Sequence, residues 1–286
     1  MFARISYTWE VMQASWSVLK RDKQLVLFPL ISSIACLLVL ISFLVPAAVI
    51  GLHDFKSSSG HFTQQQQILG WAFLFAFYFV NYFVITFFNV GVVSSAITRM
   101  AGGEPTFAGG MRAAAQRIHL IIGWALVSAT VGLILKMIES SHKQVGRIIA
   151  GLFGAAWTIV TFLVVPVLVV ENKGPFDALT ESVKLLKKTW GTQIIGNFSF
   201  GLIFALLMLP AFAAIFIAAY MTAAISATLG LLVIGLAIVY ILALALIQST
   251  LHSIFQAAVY MYTQGIPDET RAFPVTLLRD AMYDRR

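Results

Sequence analysis

Gln248, His252, Gln256 and Tyr260 follow one another at four-residue steps, with Ser249 and Ser253 beside them. On a helix each such step advances only about 40°, so the four side chains stack along one face. A histidine there can titrate near neutral pH, or join its neighbours in lining a polar cavity. It can equally be a hydrogen-bonded packing residue. Asn81, Asn89 and Asn197 also sit in apolar surroundings. Amides in that setting either bond between helices or line a path for a small solute. A different kind of chemistry belongs to Lys184, Lys187 and Lys188, and to Lys20 and Arg21. These clusters mark a cytoplasmic face and suit anionic lipid headgroups.

Other chemistry is absent from the sequence. No HExxH, Walker A, GxSxG or CxxC pattern occurs, and the one cysteine, Cys36, lies in an apolar run. No cofactor or metal site is therefore expected. All twelve acidic residues fall in loops or at the ends of apolar runs. A charge at mid-bilayer depth is expensive and is kept mainly for ion or proton movement, so a proton-coupled carrier is disfavoured. Paired-carboxylate hydrolysis is disfavoured too.

The elements that must carry these residues are membrane helices. Of the 286 residues 59% are hydrophobic and only 11% charged, and the mean hydropathy is +0.89. Soluble domains average roughly 25% charged. The chain reads as a single polytopic membrane domain, all-α, with six transmembrane helices over residues 25–50, 68–98, 118–138, 148–170, 194–220 and 226–264. Residues 51–67 read as a polar outer loop and 265–286 as a cytoplasmic tail. The first apolar run, about 26 residues, is too long for a secretory core of ~7–15.

The net charge of +7 would suggest nucleic acid in a soluble chain. Here it follows from membrane orientation, and no nucleic-acid partner is expected. With both termini in the cytoplasm, only Lys56, Lys136, Lys143 and Arg147 of the 19 basic residues fall outside, in keeping with the positive-inside rule. The connection between the third and fourth spans, which Lys136, Lys143 and Arg147 surround, is the exception.

Two stretches share a pattern. In 1–24, Ile5, Trp9, Met12, Trp16 and Leu19 recur at helical spacing before Lys20-Arg21. In 171–190, Phe176, Leu179, Val183, Leu186 and Trp190 do the same around Lys184, Lys187 and Lys188. Both predict a basic helix lying in the membrane interface. Laying Trp9 on Phe176 also superposes Ser15 on Ser182 and Lys20-Arg21 on Lys187-Lys188, and Phe107–Arg117 is a looser third copy. The chain then reads as three units of interfacial helix plus transmembrane hairpin. The competing reading is that basic amphipathic stretches arise wherever a cytoplasmic loop meets a bilayer.

The motif FxRIxxxWxxxxxSWxVLKxDKxLxLFPLIS, within Phe2–Ser33, resembles a bacterial family of multi-pass inner-membrane proteins of unknown function. The resemblance continues through TFLVVPVLVVENKGPFDALTESVKLLKKTWG, Thr161–Gly191. More loosely, the second block looks like the membrane-anchor domain beside some glycerophosphodiester phosphodiesterases. It implies six helices in the inner membrane and brings no catalytic residues.

The leading expectation is a non-enzymatic scaffold or accessory subunit that binds anionic lipid, a membrane-protein partner or a second copy through its interfacial helices. The alternative is an uncoupled transporter or channel using the asparagines and the Gln248–Tyr260 stripe. A third is a lipid-acting enzyme with His252 as base.

Overall fold

A computed structural model describes residues 2–57, 63–141, 145–188, 190–224 and 226–273. Ten α-helices account for nearly all of them: α1 (Phe2–Arg21), α2 (Leu27–Ser57), α3 (Gln64–Met100), α4 (Phe107–Gln116), α5 (Ile118–Ser141), α6 (Val145–Val160), α7 (Val164–Val170), α8 (Pro175–Lys188), α9 (Trp190–Ala224) and α10 (Ala227–Thr263). No strand occurs among the described residues. Among the described residues, six segments are long and apolar enough to cross a membrane: Lys23–Ala48, Gln64–Met100, Ile118–Ser140, Val145–Val170, Ile203–Tyr220 and Ala227–Thr263. They match the six expected spans. Their side chains explain why water cannot be the solvent: Leu152 is 68% exposed, Leu236 71% and Phe216 80%. Such continuous apolar surface needs hydrocarbon around it.

Helix boundaries differ from the sequence reading where local capping decides. The expected outer loop, 51–67, is largely helical at both ends, because α2 continues to Ser57 and α3 starts at Gln64. The start is a capping box. Thr63 Oγ1 accepts from the Gln66 N–H (3.3 Å), and Gln66 Oε1 accepts from the Thr63 N–H (2.8 Å). The glutamine run therefore begins a helix. In the fourth span, a turn at residues 161–163 separates α6 from α7. Pro166 causes it: its ring would clash with the Phe162 carbonyl, and its missing N–H is harmless only in the first turn of a helix. The expected tail, 265–286, lies, beyond Phe273, outside the described residues.

Contacts divide the chain into two compact units, each drawn from separate stretches of sequence. The first holds residues 1–29, 96–105 and 188–286. In it α1 packs on both helices of the α9–α10 hairpin. Val11, Val18, Leu25, Phe28, Leu251, Ile254 and Phe255 are buried in its core. Gly230 permits the hairpin to close, since a Cβ there would fall on Thr222 Oγ1. Farther along, the Tyr240 hydroxyl donates to the Leu207 carbonyl (3.0 Å), a turn before Pro210. A hydrogen bond between helices is the usual remedy where proline disturbs a membrane helix.

One polar cluster ties the ends of this unit together. Arg99 makes a two-pronged ion pair with Asp22, whose carboxylate is almost fully buried. Gln24 donates to the Pro105 carbonyl (2.5 Å), and the Glu269 N–H donates to the Met100 carbonyl (2.8 Å). After α10, Gly265 takes φ +68° and the Ile266 N–H reaches the Met261 carbonyl (2.9 Å), closing the helix. Asp268 then accepts the N–H groups of Thr270 and Phe273, each at 2.9 Å.

The second unit holds residues 30–95 and 106–187. Phe43 of α2 packs on Phe73 and Phe77 of α3, with ring centres 5.0 and 5.6 Å apart. Trp124 of α5 stacks on Trp157 of α6 at 5.8 Å, and Gly132 of α5 lies under the Tyr82 ring of α3.

Removing one member of the Asp22–Arg99 pair leaves the other partly buried and unpaired, which costs about 3 kcal/mol. Asp22→Ala should therefore lower the melting temperature of the solubilised chain markedly. Asp22→Leu combined with Arg99→Met should recover most of the loss. Equal damage from the single and double variants would show that the pair is not the source.

Candidate functional site

The basic helix α8 begins where α7 ends. Asn172 takes the left-handed conformation (φ 51°) that stops α7, a role asparagine fills more readily than most residues. The sequence pattern points to Gly174-Pro175 both for that stop and for the first turn of the next helix; Asn172 takes the first role, and Gly174-Pro175 open α8 as expected. The Gly174 carbonyl accepts from the Ala178 N–H (2.8 Å), and Pro175 occupies the first helical position. The Pro175 ring sits against α5 at Gly123, where a Cβ would come within 2.8 Å of Pro175 Cγ. Glycine at 123 is what lets the two elements meet.

Ser182 fixes the middle of α8. Its hydroxyl donates to the Val160 carbonyl (2.6 Å) and accepts from the Leu163 N–H (3.2 Å). Those are backbone groups that the break before Pro166 leaves without helical partners. One buried serine thus closes the interruption in the fourth span and docks α8 onto it. Leaving a buried backbone group unsatisfied costs about 1–3 kcal/mol.

An ion-pair chain holds the entry to α8. Lys173 contacts Glu171 (2.5 Å) and Glu181 (3.1 Å), and Glu181 also reaches Lys184 (3.3 Å). The Lys173 ammonium, with a smaller contribution from Lys184, holds the Glu181 carboxyl below the usual carboxylate range. Contact with Glu171 first, and Glu181 second, pushes the Lys173 ammonium up.

The faces of α1 and α8 follow one register. In α1, Val11, Ser15, Val18 and Leu19 are buried; in α8, the equivalent Ala178, Ser182, Leu185 and Leu186 are buried. The opposite faces are uncovered. Trp9 (51%), Trp16 and Lys20 point outward from α1, and Lys20 Nζ lies 5.8 Å from the centre of the Trp16 ring. Phe176 (71%), Lys184 and Lys187 point outward from α8. Arg21 is exposed as well, while the Lys188 side chain lies outside the described residues. The apolar stripe read from the sequence is thus split between two faces. Leu19 and Leu186 face protein, whereas Trp9, Trp16 and Phe176 face outward. Ser15 differs from Ser182 in bonding its own helix, at the Val11 carbonyl (3.0 Å).

The polar residues of the apolar spans fall in different places. Tyr260 and Gln256 are buried in the first unit, and Gln248 and His252 are half-buried on the same helix. The two recesses described in that unit are lined by other residues. Asn81 and Asn89 lie on α3 within the second unit; Asn81 donates to the Phe77 carbonyl of its own helix (2.9 Å). The Asn197 side chain lies outside the described residues. Sequence reading misses Lys173 as part of the charged cluster, although its place two residues after Glu171 is the available signal.

Six long apolar segments with exposed hydrocarbon-facing side chains, and two basic helices packed against them by one face each, define a multi-pass membrane protein. Within that class, the chain belongs to a family of unknown function (DUF6159), which matches residues 68–268. The Thr161–Gly191 block lies inside the matched region and the Phe2–Ser33 motif outside it. No curated protein matches the sequence.

Two outcomes are expected. Ser182→Ala should destabilise the solubilised protein by about 2 kcal/mol, because two backbone groups lose their partner; an unchanged melting temperature would contradict the role assigned to Ser182. Because the folded state lowers the Glu181 pKa, its contribution is present above the ordinary carboxylate range. It is lost as pH falls through the ordinary carboxylate range to the lower folded value. Lys173→Met should move the acid-induced loss of stability to higher pH, as read from melting curves between about pH 3 and 7.

Proposed function

We propose that this protein is a non-enzymatic scaffold or accessory subunit of a bacterial inner membrane. Its outward basic and aromatic faces on α1 and α8 gather anionic lipid headgroups and present them, or a membrane partner, at the cytoplasmic surface. Both termini lie on that side, and the chain is built from three units of interfacial helix plus hairpin. The observation that carries this reading is the shared register of the two helices. Each buries a narrow small-residue and aliphatic face and leaves an aromatic and lysine face uncovered.

Physical chemistry favours lipid for such a face. Tryptophan belongs at the headgroup level, where its ring is apolar and its N–H is wet. Lysine beside it adds about 1 kcal/mol per basic residue near an anionic surface. A face made for protein alone would gain little from lysines left exposed on both helices. The looser resemblance of the α7–α8 block to the membrane anchors of glycerophosphodiester phosphodiesterases supports a role beside lipid-handling proteins.

Reconstitution into vesicles of phosphatidylcholine with and without phosphatidylglycerol tests the proposal. The wild-type chain should enrich phosphatidylglycerol in its bound shell. Lys184→Gln, Lys187→Gln and Lys188→Gln together should cut that enrichment about tenfold, less than three free lysines would give because Lys184 is shared with Glu181. Enrichment indifferent to both lipid charge and the triple variant would refute the lipid role.

A further inference from the structure

Two of the four cations that break the charge asymmetry of the sequence, Lys136 and Arg147, line a recess in the second unit. It lies among α3, α5 and α6, has a volume of about 400 Å³ and is also lined by Tyr78, Tyr82 and Glu139. Small residues make the room. Gly132 lets the Tyr82 ring lie across α5, and Ala150 and Gly151 keep the facing side of α6 low. Lys136 contacts Glu139 (3.0 Å), while Arg147 is close enough to Lys136 to repel it. Among the described residues that line this recess, Glu139 is the single acid for both cations. The recess therefore has one positive charge in excess, with two tyrosines on its wall. Arg147 also sits in the first turn of the 16-residue helix α6, whose dipole adds to the positive end.

We propose that this recess binds the phosphate of an anionic phospholipid, in the leaflet opposite the one that α8 meets. The site is separate from the α1 and α8 faces and does not depend on the function assigned to them. Three features select a lipid over a dissolved phosphate. First, the chain beside both cations is apolar and exposed: Ile134 and Met137 flank Lys136, and Val145 and Ile148 flank Arg147. Second, a wholly aliphatic and aromatic groove of about 400 Å³ adjoins it between α5 and α6, and Leu135 lines both. A headgroup in one recess places an acyl chain beside the other. Third, the cations are recessed. Gly132 lies under the Tyr82 ring, and Lys136, one turn farther along α5, shares the recess with Tyr78, one turn back on α3. Trp71, seven residues earlier on α3, therefore stands about 10 Å farther out. It is exposed, as are Ile68 and Leu69 beyond it. Lysine and arginine at that depth extend their heads outward along an apolar wall and meet lipid phosphate there.

The full chain in neutral detergent is titrated with phosphatidylglycerol, phosphatidylcholine and glycerol 3-phosphate, and bound molecules are counted by native mass spectrometry. Phosphatidylglycerol should bind at a site that persists in the Lys184→Gln, Lys187→Gln, Lys188→Gln variant. Lys136→Gln with Arg147→Gln should weaken it at least tenfold. Ala150→Trp, which fills the recess and keeps every charge, should weaken it as much, and decides the matter if the charge variant does not fold. Phosphatidylglycerol binding to Ala150→Trp at wild-type strength would overturn the proposal. So would displacement of the lipid by equimolar glycerol 3-phosphate, which would make this a site for dissolved phosphate.

Discussion

The hydrogen bonds of the Ser182 hydroxyl to the Val160 carbonyl and the Leu163 N–H are the contacts on which the second unit depends. In a bilayer, an interrupted helix exposes backbone groups that no water can satisfy, and each would cost about 1–3 kcal/mol. Pro166 makes the interruption unavoidable. The remedy comes from another helix, so the stability of the fourth span and the docking of α8 are one event. Residues on both sides of the serine hold it in place. Pro175 sets the start of α8 against Gly123, and Lys173 clips the entry loop to Glu181. Leu185 and Leu186 bury the last turn. With its inner face committed in this way, α8 has only its outer face left for other partners, and that face is aromatic and basic.

The first unit solves a related problem by a different chemical route. There α1 packs on the α9–α10 hairpin through the same register of small and aliphatic residues, but Ser15 turns back to its own helix. The tie is instead the Asp22–Arg99 pair, which joins the end of α1 to the end of α3. A mostly buried ion pair gives little net stability compared with apolar packing, yet it is costly to break and specific in geometry. It therefore suits a point where three separated stretches of chain must meet.

Much of this is legible in the residues. Six apolar runs give six membrane segments, since length and composition suffice where hydrocarbon is the solvent. The equivalence of Ser15 with Ser182 is visible from spacing alone and matches their common burial. Which side of each helix is covered is not legible, because Trp9, Trp16 and Phe176 suit a core and a headgroup layer equally well. Ser182 looks like any small residue on a buried stripe, and its task is set by a break 19 residues earlier in the chain. The start of α3 is misread for a simpler reason. Thr63 and Gln66 form a capping box, but a polar run beside it resembles a loop. Lys136 and Arg147 stand out only as exceptions to charge asymmetry, and pairing across helices is needed to bring them into one recess.

The proposed role requires that α1 and α8 each present one face to protein and the opposite face to the membrane interface. Spin labels at Trp9, Phe176 and Lys187 in the reconstituted chain, scored for collision with oxygen and with a water-soluble nickel complex, test this most directly. Labels at Trp9 and Phe176 should lie a few ångströms below the phosphates, and the label at Lys187 should lie at their level. A label at the buried Ala178 should meet neither reagent. Free access of the nickel complex to Trp9 and Phe176, with oxygen no higher than in bulk water, would place these helices in solvent and contradict the proposed role.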